Sequence, residues 1–400
     1  MALKAVHVSD VPTLDIVQEN ASLVLNPSRF SAGVDMSAGG GIGHGAGFRP
    51  PKFLVVGHRG HGMNNFQSLD PRMRAIKENT VMSFNAAARF PLDFVEFDVQ
   101  VTKDGCPVIF HDNFIFSEDN GTIFEKRVTE LCLAEFLAYG PQKEDPTSTS
   151  PPVSKPLLRK TKDGKIVRWE VENDEPFCTL QEAFQQVKPA SLGFNIELKF
   201  DDHVVYQQDY LVGVLNSILK IVFDYADGRP VIFSSFQPDA ALLVRKLQSV
   251  YAVYFLTDAG AETFYDSRRN SLEEAIKLCL EGGLAGVVSE VRGVFRNPAA
   301  VGKIKESKLS LLTYGKLNNV AEAVYMQHLM GIDGVIVDFV AEISEAVNAM
   351  ITPSKEEEEE EAEEGRVLLG DGGEEVKSRP QFSPKEISFL LKLIPELIQH

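Results

Sequence analysis

Ionisable residues stand directly at the ends of several short apolar runs in this chain. They occur as four pairs: His58 with Arg59, Glu96 with Asp98, His111 with Asp112, and Glu197 with Lys199. Burying an isolated charge beside apolar segments is costly, because the charge loses its hydration. We therefore expect these residues to serve a function rather than packing.

Three of these residues are carboxylates that strands would present together. Residues two apart on a strand share a face, so Glu96 projects with Asp98, and Glu197 projects with Lys199. Three carboxylates brought to one place would repel each other and resist ionisation unless a cation compensated. Oxygen ligands of this kind suit Mg2+ or Ca2+, and the sequence therefore predicts a divalent metal site.

Two histidines near such a metal could supply an acid and a base at neutral pH. Arg59 and Lys199 could hold phosphate oxygens through charge-assisted hydrogen bonds. Together these residues predict phosphoryl transfer. Neither histidine lies in a Gly-x-Ser-x-Gly elbow, and no Walker loop or Gly-x-Gly-x-x-Gly turn follows an apolar run. Serine hydrolase, P-loop and dinucleotide-binding functions are therefore not supported.

Alternating elements must position these residues. From Phe53 onward, short apolar runs alternate with segments of helical period, which predicts βα units and a parallel sheet. The predicted strands are residues 53–57, 94–99, 193–198, 231–235, 252–256, 285–289, 309–313 and 332–337. The predicted helices are residues 80–88, 180–187, 210–225, 239–248, 272–280 and 320–330. This pattern predicts a TIM (β/α)8 barrel over residues 53–345, with catalytic groups at the C-terminal ends of its strands.

One long segment interrupts the regular spacing. Asp104-Gly105 suits a tight turn, which makes residues 107–111 the return arm of a hairpin. Residues 113–178, hereafter the insertion, are far longer than an ordinary barrel loop and are expected at the top of the barrel. The basic stretch from Lys155 to Arg168 is interpreted as a solvated loop.

The two ends of the chain lack the barrel pattern. Residues 1–50 are interpreted as a leader, either a transit peptide or a disordered segment, because they combine Ser/Gly richness with acidic residues. The Glu-rich residues 354–380 predict an acidic disordered linker. Residues 383–400 predict a helix that packs on the barrel or on a second subunit, which leaves a homo-oligomer open.

Composition restricts the function classes. The formal charge of -17 argues against a duplex nucleic-acid binder, because such binding requires clustered Lys and Arg. The four cysteines show no paired spacing, which indicates a reducing compartment. No apolar window is long enough for a transmembrane segment, and no secretory signal opens the chain.

Seven motifs in order make the sequence resemble the glycerophosphodiester phosphodiesterases, most closely the soluble plant type. They are His58-Arg59-Gly60, Glu78-Asn79-Thr80, Glu96-Phe97-Asp98, His111-Asp112, Glu197-Leu198-Lys199, Phe233-Ser234-Ser235-Phe236 and Gly331-Ile332-Asp333-Gly334. The resemblance implies the following roles: Glu96, Asp98 and Glu197 bind the metal, His58 and His111 are the acid/base pair, and Arg59 and Lys199 hold the phosphate.

The resemblance also implies a reaction. A glycerophosphodiester, such as glycerophosphocholine or glycerophosphoethanolamine, would be hydrolysed to sn-glycerol 3-phosphate and an alcohol, in phospholipid turnover and phosphate recycling. The nucleophile would be water or the glycerol 2-hydroxyl. Mg2+ is the expected metal and Ca2+ the alternative. The expected compartment is the plastid, with the cytoplasm as the alternative.

Several readings stay open beside this one. Glu78 and Asp112 either support the site or are structural, since Glu-Asn-Thr before a helix is also a capping sequence. Tyr314 stands where many family members carry a Trp-Thr segment, so the alcohol pocket is expected to differ. A lysophospholipase D is a second enzyme reading. A non-catalytic barrel that binds phosphodiesters is a third.

Overall fold

A closed ring of eight parallel strands forms the centre of the structure, a computed structural model that describes residues 52–142 and 154–350. The strands are β1 (Leu54–Gly57), β2 (Phe94–Val101), β3 (Pro107–Ile109), β4 (Phe114–Asp119), β5 (Thr122–Arg127), β6 (Leu158–Lys160), β7 (Ile166–Arg168), β8 (Gly193–Leu198), β9 (Val231–Ser235), β10 (Ala252–Thr257), β11 (Gly286–Glu290), β12 (Ser310–Tyr314) and β13 (Gly334–Val337). The order around the ring is β1-β13-β12-β11-β10-β9-β8-β2, and β2 pairs with β1 to close it. The predicted TIM barrel is confirmed.

Helices surround the barrel on its outer side, and one short helix, the second in the chain, belongs to the insertion. They are α1 (Val81–Ala87), α2 (Leu133–Leu137), α3 (Leu180–Gln186), α4 (Gln208–Tyr225), α5 (Pro238–Leu247), α6 (Leu272–Gly282), α7 (Val291–Arg296), α8 (Ala299–Glu306), α9 (Ala321–Leu329) and α10 (Val340–Met350). The six helices expected from the sequence are confirmed. The pattern missed four helices, α2, α7, α8 and α10. Of these, α2 and α7 are only five and six residues long, too short to show a clear helical period. The pattern also set the barrel's end at residue 345, inside α10.

The barrel strands separate two apolar cores. Outward residues such as Val55, Val95 and Phe97 pack with the surrounding helices in the larger core. Inward residues fill the lower barrel: Leu54, Val56, Phe94, Ile232, Tyr254, Leu256, Val288, Leu312 and Ile336. Since alternate residues of a strand face the same side, the polar residues that continue these inward rows lie at the C-terminal mouth.

The insertion forms an antiparallel sheet of its own, in the order β5-β4-β6-β7. The sheet covers a third apolar core, to which Phe136, Trp169 and Phe177 contribute. Phe110, which follows β3, packs in the same core and joins it to the barrel hairpin formed by β2 and β3. This sheet was not predicted from the sequence. The strands β6 and β7 are only three residues long, but β4 and β5 are six residues long and form a hairpin through Asn120-Gly121, which was a signal that could have identified them.

Three predicted segments lie outside the described residues: the leader 1–50, the linker 354–380 and the C-terminal helix 383–400. Within the described ranges, we find no helix that is both long and apolar enough to cross a membrane. The four cysteines are free thiols.

Candidate active site

Three carboxylates meet where β2 and β8 run side by side. Asp98 is the register partner of Glu197, and Glu96 lies one inward position earlier on β2. Each of the three side chains offers an oxygen atom, and these atoms lie within 4.8 Å of one another. The structure therefore brings together the predicted metal ligands, which the chain separates by about a hundred residues.

The charge balance of this cluster suits a cation. Glu96 and Asp98 are buried, and the side chain of Glu197 is 12 % exposed. Burial and the charge of Asp98 raise the pKa of Glu96, and burial raises the pKa of Glu197. Glu96 Oε1 and Asp98 Oδ1 have no hydrogen-bond partner among the described residues. Buried carboxylate oxygens without donors fit a divalent metal ion, so these residues could hold one.

Two cations border the carboxylates. Lys199 Nζ lies 2.9 Å from Glu197 Oε1 and 3.6 Å from Asp98 Oδ1. Arg59 Nε lies 3.5 Å from Asp98 Oδ2 and has no hydrogen-bond partner in the described part of the chain. Both side chains therefore place positive charge at the mouth, where an anionic group would meet them.

The backbone at Arg59 is held in an unusual conformation. Its φ is +50°, which for a residue other than glycine costs on the order of 1–3 kcal/mol. The Arg59 amide donates to Glu96 Oε2 at 2.9 Å, so the turn is tied to the carboxylate cluster. Gly60 follows with a φ of +90°, and a Cβ there would lie 2.5 Å from Ser83 Oγ. The His-Arg-Gly motif thus requires its glycine for close approach to α1.

His58 continues the inward row of β1 and is held by a residue that sequence reasoning missed. Its Nδ1 donates to Asp338 Oδ1 at 2.7 Å, while its Nε2 lies 4.0 Å from Glu96 Oε2. Burial alone would lower the pKa of His58, but the charge and hydrogen bond of Asp338 raise it. Asp338 follows Ile336 by two positions, so the inward row of β13 was the signal that could have identified it.

His111 lies in the loop after β3, and a neighbouring acid orients it. Its Nδ1 donates to Asp112 Oδ1 at 2.7 Å. Burial and the charges of Arg59 and Lys199 lower the pKa of His111 to about 4. Both predicted histidines therefore have Nδ1 occupied by a carboxylate, which leaves Nε2 as the atom available for proton transfer.

Glu78 is buried and belongs to the site network. Its Oε1 accepts a hydrogen bond from Arg59 Nη1 at 2.8 Å, and Asn64 N donates to its Oε2. The capping interpretation of Glu78-Asn79-Thr80 is only partly correct, since Thr80 is the residue that caps α1. Asn79 instead donates from Nδ2 to Asp98 Oδ2 at 2.8 Å.

Tyr314 lies at the end of β12, on another side of the mouth. Its hydroxyl donates to Asp258 Oδ1 at 2.6 Å, and its ring packs edge-on against Phe236 at 5.9 Å. Glu290 is its register partner on β11. Burial and the charges of Asp258 and Glu290 raise the pKa of Tyr314 well above its ordinary value. This side of the mouth is therefore aromatic and acidic.

The interpretation of the basic stretch in the insertion was wrong for one residue. Lys155, Lys160, Lys162, Lys165 and Arg168 are exposed as expected, but Arg159 is buried. Its guanidinium lies over the ring of Trp169, 4.3 Å from the centroid, and contacts Glu78 and Asp112. The sequence could not distinguish Arg159 from the neighbouring lysines, because a run of basic residues does not indicate which member is buried.

The barrel, the carboxylate cluster and the flanking histidines define a phosphodiesterase site, and the chain belongs to the glycerophosphoryl diester phosphodiesterase family. The sequence profile of that family matches residues 58–342. The chain is therefore an enzyme of this class, a phosphoric diester hydrolase, which excludes the non-catalytic reading.

Two Arabidopsis thaliana proteins are similar over the full length of both chains. Glycerophosphodiester phosphodiesterase GDPD1, chloroplastic, is 59 % identical over 400 residues. Glycerophosphodiester phosphodiesterase GDPD2 is 58 % identical over 404 residues. Among solved structures, an Oleispira antarctica phosphodiesterase in complex with sn-glycerol-3-phosphate has the same fold, with a TM-score of 0.52 and 20 % identity. The match covers 75 % of this chain and 97 % of that one.

Proposed function

We propose that this enzyme hydrolyses glycerophosphodiesters with a cationic alcohol, such as glycerophosphocholine and glycerophosphoethanolamine, to sn-glycerol 3-phosphate and the free alcohol. The observation that supports the chemistry most strongly is the pair of carboxylate-bound histidines near one acidic cluster. His58 is bound to Asp338 and His111 to Asp112, both at 2.7 Å. Two oriented imidazoles suit a displacement at phosphorus, which needs a proton removed and a proton delivered.

Each residue then has a separate task. One histidine removes the proton of the nucleophile, and the other delivers a proton to the leaving alkoxide. Arg59 and Lys199 hold the non-bridging phosphate oxygens and stabilise the charge that builds on them. Arg59 Nε supports this role, because it is a buried donor beside the cluster with no hydrogen-bond partner among the described residues.

Glu96, Asp98 and Glu197 would hold the metal, with Mg2+ as the proposed ion and Ca2+ as the alternative. Such an ion supplies charge neutralisation and polarises a phosphoryl oxygen. We expect chelation with EDTA to abolish activity and Mg2+ to restore it. Added Mg2+ should also raise the melting temperature of the parent protein but not that of Glu96→Gln, because a ligand stabilises the state that binds it.

The histidine assignment is tested by replacing His58 or His111 with Ala and measuring release of glycerol 3-phosphate with Mg2+ present. We expect each variant to lose about 10²–10⁴-fold in kcat, the usual contribution of general acid–base catalysis. His328→Ala is the matched control, because its ring packs on Phe53 at the other end of the barrel. Activity close to the parent in both site variants would refute the assignment.

The aromatic and acidic side of the mouth supports the choice of a cationic alcohol. Tyr314 and Phe236 present ring surfaces, and Asp258 and Glu290 add negative charge beside them. Aromatic faces and carboxylates attract an ammonium group. A choline or ethanolamine head group would gain both contacts, whereas a neutral alcohol would gain neither charge interaction.

Substrate comparison tests this choice. We expect Glu290→Gln to reduce kcat/KM for glycerophosphocholine by about 3- to 10-fold, since one partly screened charge contact is worth on the order of 1 kcal/mol. Turnover of glycerophosphoglycerol, whose alcohol is neutral, should stay the same and serves as the control. Equal losses on both substrates would contradict a cation subsite. Faster turnover of lysophosphatidylcholine than of glycerophosphocholine would instead favour the lysophospholipase D reading.

The plastid is the proposed compartment, with a role in phospholipid turnover and phosphate recycling. The support is the full-length similarity to a relative whose name includes the word chloroplastic. A fusion of residues 1–50 to a fluorescent protein tests the location. Fluorescence that stays in the cytoplasm of plant cells would contradict it.

A further inference from the structure

Arg159 is a buried residue of the insertion that contacts two carboxylates beside the candidate site, Glu78 and Asp112. It lies on β6 and is only 8 % exposed, although the neighbouring strand β7 ends at the exposed Arg168. Its guanidinium rests on the ring of Trp169. Trp169 Nε1 in turn donates to Asn64 Oδ1 at 3.1 Å, so the ring that supports Arg159 is itself fixed.

One nitrogen of Arg159 joins two carboxylates. Its Nη2 lies 3.0 Å from Glu78 Oε1 and 3.0 Å from Asp112 Oδ1. Its Nη1 donates to the backbone oxygen of Asn64 at 3.2 Å. The two carboxylates lead to different parts of the site, because Glu78 binds Arg59 at 2.8 Å and Asp112 binds His111 at 2.7 Å.

The guanidinium of Arg159 helps to lower the pKa of both carboxylates. Burial would raise the pKa of Glu78, but the charges of Arg159 and Arg59 hold it below the ordinary value. Burial acts in the same direction on Asp112, and the charge of Arg159 is the largest influence that lowers its pKa again. A buried carboxylate that loses its cation tends to take up a proton, and it then binds a neighbouring donor less strongly.

We propose that Arg159 is a positioning residue that couples the acid/base histidine His111 to the phosphate-binding Arg59, and that the insertion is thereby part of the active site. This inference rests on the proposed roles of those two residues. Arg159 itself acts through Asp112 and Glu78 rather than on the substrate. Arginine suits the task because its planar fork presents several donors in fixed directions, whereas a lysine ammonium is a single point charge.

The test compares Arg159→Met and Arg159→Lys with Arg168→Met. Arg168 is an exposed residue of the same small sheet and pairs in register with Leu158, so its replacement removes the same charge without touching the network. We expect Arg159→Met to lower kcat by about 10- to 100-fold, the usual loss when a residue that orients a site ligand is removed. KM should rise as well, because Arg59 loses its support. Arg168→Met should retain parental values.

A double-mutant cycle separates positioning from general damage. If Arg159 acts through Asp112, then Arg159→Met in an Asp112→Asn background should reduce kcat less than about threefold further, since groups in one network are not additive. Circular dichroism and melting temperature are measured for each variant. If Arg159→Met does not fold, Arg159→Lys keeps the positive charge and carries the same comparison.

Two results would overturn the inference: a folded Arg159 variant with parental kcat and KM, or losses that simply multiply with that of Asp112→Asn. His111→Ala is measured in parallel. If His111→Ala is inactive while the Arg159 variants remain active, only this inference fails. If His111→Ala is itself active, the proposed acid/base assignment fails.

Discussion

At the scale of single residues, position along a strand decides which side chains reach the site. Leu54, Val56 and His58 form one inward row, and Ile336 and Asp338 form another on the neighbouring strand. Apolar members fill the lower barrel, and the next member of each row is polar. The polar side chains of the candidate site therefore lie two residues beyond the last apolar residue of each inward row, because side chains on one face of a strand repeat every two residues.

Asp338 gives a prediction at this scale. Replacing Asp338 with Asn keeps its size but removes the charge that holds His58 Nδ1. We expect kcat to fall by about 10- to 100-fold, a part of what general acid–base catalysis contributes. KM should change little, because Asp338 contacts His58 rather than the substrate. Steady-state kinetics on glycerophosphocholine provides the measurement.

A matched control exists at the opposite end of the barrel. Asp93 accepts a hydrogen bond from Val55 N at 3.0 Å, below the apolar filling, so Asp93→Asn makes the same change far from the mouth. Groups at this end of a TIM barrel contribute to stability rather than catalysis. We expect Asp93→Asn to keep parental kcat. A parental kcat in Asp338→Asn as well would show that His58 does not need its carboxylate.

At the scale of elements, a buried ion pair fastens the insertion to the loop between β1 and α1. Lys77 is fully buried, and its Nζ lies 3.0 Å from Asp174 Oδ1 and 4.5 Å from the centre of the Phe177 ring. Backbone hydrogen bonds run beside the pair, from Lys77 N to Asn173 O at 3.0 Å. Since Glu78 follows Lys77 directly, this contact also sets the position of the site network.

The Lys77–Asp174 ion pair predicts how single and double replacements change the free energy of unfolding. Lys77→Met should lower the free energy of unfolding by about 3–5 kcal/mol, because it removes one partner of a buried ion pair and leaves the Asp174 carboxyl group buried without its cation. The double variant Lys77→Met with Asp174→Asn should recover part of that loss, since the amide can still accept from Gln142 N. Equilibrium unfolding in urea measures both.

The exposed pair Lys220–Asp224 on α4 provides the comparison. Solvent screens such a pair, so Lys220→Met should leave the unfolding midpoint unchanged. If Lys77→Met also left the unfolding midpoint unchanged, the buried ion pair would not be needed to hold the insertion against the loop between β1 and α1.

At the scale of the whole molecule, closure of the barrel creates the site. Glu197 and Lys199 lie about a hundred residues after Glu96 and Asp98, yet β8 pairs directly with β2. The last strand, β13, pairs with β1 and brings Asp338 to His58. An open sheet would keep these ends apart, and the parallel arrangement places all of these groups at one edge.

The sequence by itself predicted the barrel, its strands and most of the candidate site residues. These predictions rest on local features of the sequence: the strand period, the polar residues at strand ends and the ordered motifs. These features identify His58, Arg59, Glu96, Asp98, His111, Glu197 and Lys199 as candidate site residues. The structure brings the three carboxylates together, with His58, Arg59 and Lys199 beside them, and the roles of all seven residues stay predictions.

Only the tertiary structure showed which residues orient the candidate site residues through hydrogen bonds and ion pairs. Asp338 binds His58 only because β13 closes against β1, and Arg159 reaches Asp112 and Glu78 only because the insertion packs against the segments that carry them. In the sequence, Arg159 looks like any member of a solvated basic run. Its burial depends on the ring of Trp169 and on two carboxylates from distant loops, and contacts between distant parts of the chain leave no periodic pattern in the sequence.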